Sequence, residues 1–335
     1  MRINLRHAAT LQHLGLTDLA AVMQSRRGRC LRALKIRENW FLPGDPAAGR
    51  PGLYLKKHHV CNWWTRLRAW LGLGPGRTAG AVEAEQCRAM RHAGVPSMEL
   101  VSQGERLSAN GRLESFVITE ELAGFTQLDI FLQQRFPPRP IDHARRRDPD
   151  LDCLLAQVAR LVRRFHRAGY NHRDLYCCHL LVREPRPGQF ELRLIDLQRV
   201  QRRRWFRRRW IVKDLGQLAY SAVRSHVGAT ERLRLMREYL GVRRLRSRDK
   251  RLIRQVLSRH QVMERRLGIQ QARDISRPKP AAAPRLVASG QLVENRELAE
   301  SAEQAESAER ANSDIAAASG TSLPFNPPPP ARAPQ

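Results

Sequence analysis

Long hydrophobic runs are missing from this sequence. No stretch of its 335 residues approaches the ~20 consecutive apolar residues that a membrane-spanning helix needs. The N-terminus carries no continuous apolar core of the signal-peptide kind. The chain is therefore expected in the cytoplasm, touching a membrane at most from its surface. Cysteine is scarce and scattered, at positions 30, 61, 87, 153, 177 and 178. No CxxC pair occurs, which argues against a zinc or disulfide framework and suits a reducing compartment. Acidic residues are outnumbered, 32 Asp and Glu against 60 Lys and Arg, for a formal charge of +28. The excess precedes Ala281, since four Arg and seven acidic residues follow from there. Such a surface favours polyanions: nucleic acid, anionic lipid or a phosphorylated glycan. There is no internal repeat.

What is present reads as two lobes and a tail. Residues 1–27 read as an N-terminal helical extension. Residues 28–60 read as strands around the loop Pro43-Gly44-Asp45-Pro46, ending in Leu53-Tyr54-Leu55-Lys56. Residues 61–80 mix Trp, Arg and Gly and have the look of an insert. Val82 to Ala93 is a predicted helix, stopped by Gly94 and Pro96. Strand-like stretches near Glu99–Val101 and Ser115–Thr119 flank the turn Ala109-Asn110-Gly111. Glu120 to Gly124 links this β-rich N-lobe, residues 28–122, to a helical C-lobe over 123–276. In the second lobe Leu154, Val158, Leu161, Val162 and Phe165 recur at helical spacing, and Gly169 is placed to end that helix. The segment 277–335 turns rich in Pro, Ala, Ser and Glu. It lacks the apolar surface to offset its ordering entropy and is expected to be disordered.

His172-Arg173-Asp174 follows the amphipathic helix and precedes the apolar run Leu180-Leu181-Val182. A second apolar run, Leu194-Ile195, ends in Asp196. Helix, HRD, strand, then a strand ending in Asp is the order of the catalytic loop and metal strand of a protein-kinase-like phosphotransferase. The expected fold class is thus α+β: a bilobal protein-kinase-like fold with a small β-rich N-lobe and a larger helical C-lobe.

Phosphoryl transfer needs positioning and charge neutralisation more than covalent help. Asp174 would accept a hydrogen bond from the attacking hydroxyl. Asp196 would hold the Mg2+ that bridges the phosphates of ATP. His179 stands where a kinase loop places an Asn ligand; an imidazole can ligate a metal or donate to the loop, although magnesium prefers oxygen. Lys56 would pair with the nucleotide phosphates, while the adjacent Lys57 points to the other strand face. Glu83 shares a helix face with Cys87 and Met90 and would pair with Lys56, with Glu85 as runner-up. Glu120 and Leu122, in the link between lobes, are candidates for holding the nucleotide. Asp214, at the start of a helix, can accept hydrogen bonds from the backbone around His172 and Arg173, supporting the loop.

Two kinase hallmarks are missing. Asp196-Leu197-Gln198 stands in place of Asp-Phe-Gly, and no glycine-rich phosphate loop has the GxGxxG spacing, so a different loop must cover the phosphates. The run from Arg202 to Trp210 interleaves six Arg with aromatics. Within it Arg203, Arg204, Arg207 and Arg208 are candidates for an anionic acceptor, binding phosphates bidentately while the aromatics stack on a ring or sit at a lipid interface. A solvated basic loop or a nucleic-acid patch is the plainer alternative.

The stretch from Asn171 to Leu181 resembles the catalytic loop of the lipopolysaccharide core kinases, the Kdo and WaaP-type heptose kinases. Their pattern also carries HRD, an aromatic two residues later, then Cys-His. The likeness continues through Ile195 to Gln201, an Arg-rich link, Arg209-Trp210 and Lys213-Asp214-Leu215. Upstream it includes Leu55-Lys56, Gly94-Val95-Pro96 and Ile118 to Leu122, covering roughly residues 30–265. It implies a kinase-like fold and transfer from ATP to a sugar hydroxyl, of heptose or Kdo, in the lipopolysaccharide inner core. It implies Asp174 as acid-base residue, Asp196 as metal ligand, Lys56 as nucleotide lysine and Glu83 as its partner. The expected partners are the core glycolipid and an anionic membrane surface, not nucleic acid. The expected location is peripheral, at the inner face of the inner membrane. Two other readings stand beside it: an atypical small-molecule or protein kinase, and a non-catalytic kinase-like basic binding protein.

Overall fold

A six-stranded antiparallel sheet dominates the first lobe of the structure, a computed structural model that describes residues 1–136, 148–223 and 227–276. The tail expected to be disordered, 277–335, lies outside the described residues. The strands are β1 (Arg2–Ile3), β2 (Arg29–Leu34), β3 (Arg37–Leu42), β4 (Leu53–Val60), β5 (Leu100–Leu107) and β6 (Leu113–Glu120). They lie in the order β1-β5-β6-β4-β3-β2. In β4 the two-residue period of a strand sorts the side chains. Leu53, Leu55 and Lys57 are buried on one face, while Tyr54 and Lys56 turn to the other.

Residues 1–27 are more than a helical appendage. Arg2 and Ile3 pair with Gln103 and Ser102 at the sheet edge, and α1 (Ala8–His13) and α2 (Leu19–Gln24) follow. Leu11, Leu16, Val22 and Met23 close one core with Leu42, Leu53, Leu55, Val101, Phe116 and Ile118. Lys57 enters this core and donates to the carbonyls of Met23 and Ser25, capping the end of α2. Burial pushes the Lys57 ammonium down to about 8. The tryptophan-bearing stretch after β4 forms α3 (Trp63–Trp70), and α4 (Ala79–His92) crosses the sheet behind it.

The second lobe holds β7 (Thr126–Gln127), α5 (Leu128–Arg135), α6 (Pro149–Arg167), β8 (Tyr170–Asn171), β9 (Leu180–Arg186), β10 (Gln189–Leu194) and β11 (Gln201–Arg202). Three helices follow: α7 (Arg207–Val223), α8 (Ala229–Leu240) and α9 (Ser247–Ser276). Its small sheets are β10-β9-β7 and β11-β8. Leu154, Val158, Leu161, Val162 and Phe165, the stripe of α6, are all buried. Met90, Val95 and Met98, at and beyond the end of α4, join the same core. There the Leu194 amide donates to the Pro96 carbonyl at 3.0 Å, so the two lobes are fastened just before Asp196.

Candidate active site

The site assembles where β4, α4 and the loops flanking β9 and β10 meet. Lys56 sits on the open face of β4, and its Nζ lies 2.7 Å from Oε1 of Glu83 on α4. Glu83 is fully buried; an unpaired carboxylate there would be very costly, so the pair is obligatory. The same Nζ lies 3.7 Å from Oδ1 of Asp196. Burial pulls the Lys56 ammonium down, but Glu83 and Asp196 outweigh it and raise it above its ordinary value. Burial likewise favours the neutral acid of Asp196, and Lys56 followed by His179 hold it well below the usual carboxylate range. Lys57 is on the far face, so the strand period separates the two lysines.

Asp174 lies in the loop between β8 and β9. Arg173, with φ of 74°, turns the chain through the left-handed region to present it. The loop is clamped from below by α7. The fully buried Asp214 accepts from the amides of His172 and Arg173, each at 2.8 Å. His166 faces it at 3.1 Å and reaches the Tyr239 hydroxyl at 2.8 Å on its other side. One turn further, Gln217 accepts from the Leu175 amide at 3.2 Å, and Ser221 from the Cys177 amide at 2.9 Å. Four loop amides thus end on one stripe of a single helix. Asp214 was legible in the sequence as a loop support, whereas Gln217 and Ser221 were not. The available signal was polar residues at i, i+3 and i+7 on an otherwise apolar face.

Two histidines tie Asp174 to Asp196. His172 Nε2 is 3.0 Å from the Ile195 carbonyl. Burial, with the charge of His179, pushes its imidazole down to about 4, so at neutral pH it is uncharged and donates to that carbonyl. His179 stacks on it, ring centroids 5.7 Å apart. His179 Nδ1 bonds the Asp174 carbonyl at 2.7 Å, and its Nε2 lies 3.7 Å from Oδ2 of Asp196. Burial would lower the His179 imidazole, but Cys178, Asp196 and the Asp174 carbonyl push it up to about 10.

Arg199 was not singled out from the sequence. It closes the short turn Leu197–Arg199 after Asp196 and brings Nη1 to 2.8 and 3.0 Å from the two carboxylate oxygens of Asp174. Arg37, on β3, reaches the Gln198 side chain at 3.3 Å from the opposite lobe. Arg37 opens the second strand of the β2–β3 hairpin, whose turn is Lys35–Ile36.

Glu120 ends β6, paired with Leu53 three residues along the ladder from Lys56. Its carboxylate lies 3.3 Å from His7. Leu122 lies in the crossing between lobes and accepts from the Phe125 amide at 3.1 Å. The arginine cluster is split. Arg203 lies over Trp210 at 4.9 Å, and Arg204 is exposed. Arg207 turns inward to the His166 carbonyl, and Arg208, exposed, reaches Gln255 on α9. Arg203 and Arg204 line a groove of about 820 Å³ with Arg77, Tyr170, Gln201 and Trp205.

A paired lysine, two loop acids and a clamped HRD turn between a sheet lobe and a helical lobe define a phosphotransferase of the protein-kinase-like class. Residues 25–263 match the family described as lipopolysaccharide kinase (Kdo/WaaP), and the chain belongs to that family. It is 36% identical over 228 residues to the lipopolysaccharide core heptose(I) kinase WaaP of Pseudomonas aeruginosa, spanning 66% of this chain and 80% of that protein. The protein of the same name from Escherichia coli K12 is 35% identical over 154 residues, 44% of this chain and 55% of its own length. A solved structure titled "WaaP in complex with acyl carrier protein" superposes with a TM-score of 0.57 at 31% identity, covering 83% of this chain and all of the other. The chain is accordingly an ATP-dependent phosphotransferase with the bilobal fold expected from its motifs.

Proposed function

We propose that this chain phosphorylates a heptose hydroxyl of the lipopolysaccharide inner core, with magnesium as its metal, as a peripheral protein at the inner face of the inner membrane. Heptose is preferred to Kdo because the relatives are named heptose(I) kinases. The observation that carries the reading is one continuous line of contacts: Glu83, Lys56, Asp196, His179, Asp174, Arg199. The nearness of a paired lysine to the carboxylates of Asp196 and Asp174 along that line supports the reading.

The donor set suits magnesium. Oδ1 of Asp196 is buried and makes no hydrogen bond, which fits a hard cation that prefers oxygen. When bound, the metal would neutralise charge on the donor's phosphate oxygens. Of the two roles open to His179, the geometry favours the orienting one. Its Nδ1 is engaged and its raised basicity favours the cation, so it braces both acids rather than offering an open nitrogen. Lys56, with Arg37 on the β2–β3 hairpin, faces the nucleotide phosphates. Glu120 and Leu122 are proposed for the nucleotide's other end, in the crossing between lobes. Asp174 accepts the hydrogen bond of the attacking hydroxyl and takes its proton. Arg199 fixes the rotamer of Asp174 and adds positive charge where the transferred group passes. Arg203 and Arg204 meet the anionic acceptor, and Arg207 and Arg208 brace the loop that carries them.

The test is phosphoryl transfer from ATP to purified core glycolipid, with and without magnesium. Transfer to a heptose hydroxyl that stops when magnesium is chelated supports the proposal. Transfer to Kdo alone, or to protein, contradicts it.

A further inference from the structure

Helix α3 is amphipathic and faces the wrong way for a helix of a globular core. At about 100° per residue, Trp63, Trp64, Leu67, Trp70 and Leu71 fall within about one third of its circumference. An apolar stripe normally faces inward. Here Trp63, Trp64 and Trp70 are 63%, 56% and 80% exposed, while Thr65, on the opposite side, is 6% exposed. Leu71 and Leu73 continue the exposed surface past the helix end.

The orientation is fixed by the structure around it. Asn62 and Thr65 form a reciprocal capping box that sets the first turn. Gly111, in the β5–β6 turn, approaches the helix at the edge of the stripe: a Cβ there would lie 2.5 Å from Cγ and 2.6 Å from Cα of Arg66. The first turn, with Thr65 buried, and the Arg66 edge are thus fixed, and the aromatic stripe is held outward.

Charge points to what the stripe meets. Arg66 and Arg68 flank it on either side, and Arg77 follows. No Asp or Glu occurs between Lys57 and Glu83. Indoles have an apolar body and a polar N–H, which suits the boundary between headgroups and acyl chains. A second exposed aromatic pair, Trp205 and Phe206, lines the same groove as Arg77, so aromatic and basic groups recur around the proposed acceptor site.

We propose that α3 is a docking helix for an anionic bilayer, with Trp63, Trp64, Trp70 and Leu71 entering the headgroup boundary and Arg66 and Arg77 meeting lipid phosphates. This rests on the reading of the acceptor as a membrane glycolipid. Docking restricts the enzyme's search for that acceptor to the plane in which it lies.

The test is flotation of the full chain with vesicles of phosphatidylethanolamine and phosphatidylglycerol, against phosphatidylcholine alone. The wild type should float with the anionic vesicles and lose binding in high salt. Trp64→Ser, Trp70→Ser and Leu71→Ser together should lower the bound fraction at least about tenfold, from lost apolar insertion. Arg66→Gln should lower it about fivefold, the usual worth of one basic group at such a surface. Both variants should keep the wild-type melting temperature, since the altered side chains are exposed. They should also phosphorylate a delipidated, soluble core oligosaccharide at the wild-type rate, so failure of docking and failure of the kinase reading are told apart. A triple variant that floats like wild type would overturn the proposal. So would a wild type that ignores anionic vesicles yet captures an acidic carrier protein through the same tryptophans.

Discussion

In the proposed mechanism, Asp174 and Arg199 form the contact on which phosphoryl transfer turns. Asp174→Ala is expected to lower turnover by about 10²–10⁴-fold with the melting temperature little changed; steady-state rates at saturating ATP check it. Arg199→Ala is expected to lower turnover by about a hundredfold, as for loss of one charge-stabilising donor, with a smaller change in the Michaelis constant for ATP. Arg199→Lys should recover part of the loss; full activity of Arg199→Ala would remove it from the mechanism. Lys57 makes a separate prediction about stability. Its ammonium is held at about 8 in the folded chain against an ordinary 10.5. The unfolded chain therefore binds more protons between those values, and this group makes stability rise with pH across that window. Denaturant melts at pH 7.5 and 9.5 should show that rise, and Lys57→Met should reduce it.

The two acids were legible at this scale because each ends a recognisable pattern, HRD before a strand and an apolar strand before Asp. Strand alternation put Lys56 and Lys57 on opposite faces, but which face meets the cleft came from the family resemblance. Arg199 was not legible. It is one arginine in a basic stretch, and only the turn after Asp196 brings it to Asp174.

At the scale of elements, α7 is the platform of the catalytic loop. Asp214→Ala would leave two loop amides and a buried His166 without their acceptor. The expected loss of stability is about 2–4 kcal/mol, from buried donors left unsatisfied, together with loss of activity. Gln217→Leu orphans one amide and should cost about 1–3 kcal/mol. Thermal or urea melts read both, and a neutral Asp214→Ala would mean the loop holds itself. Most elements were readable from periodicity and turn residues: the α6 stripe, the α4 stop at Gly94, the strands on either side of Pro43–Pro46. β1 was not, because two residues show no alternation. Its place at the sheet edge comes from pairing with a strand about a hundred residues away, which no local pattern encodes. The inversion of α3 was equally hidden: its stripe is visible in the sequence, but which side is buried depends on how the first turn and the Arg66 edge are fixed.

At the scale of the molecule, the formal charge of +28 and the split arginine cluster make a graded prediction. Arg203→Gln with Arg204→Gln should raise the Michaelis constant for an anionic acceptor much more than that for ATP. Arg207→Gln with Arg208→Gln should act chiefly on stability, since those side chains grip His166 and Gln255. Acceptor binding by the wild type should weaken as salt shortens electrostatic reach to ~8 Å at physiological strength. The overall charge was legible as a preference for polyanions, but not as a choice among them. The measurement that tests the account most directly follows labelled γ-phosphate from ATP into purified core glycolipid, with the site mapped and RNA and casein as controls. The wild type should label an inner-core heptose hydroxyl, and Asp174→Ala should give nothing above background. Label on the controls instead, or equal labelling by both proteins, would contradict the proposed function.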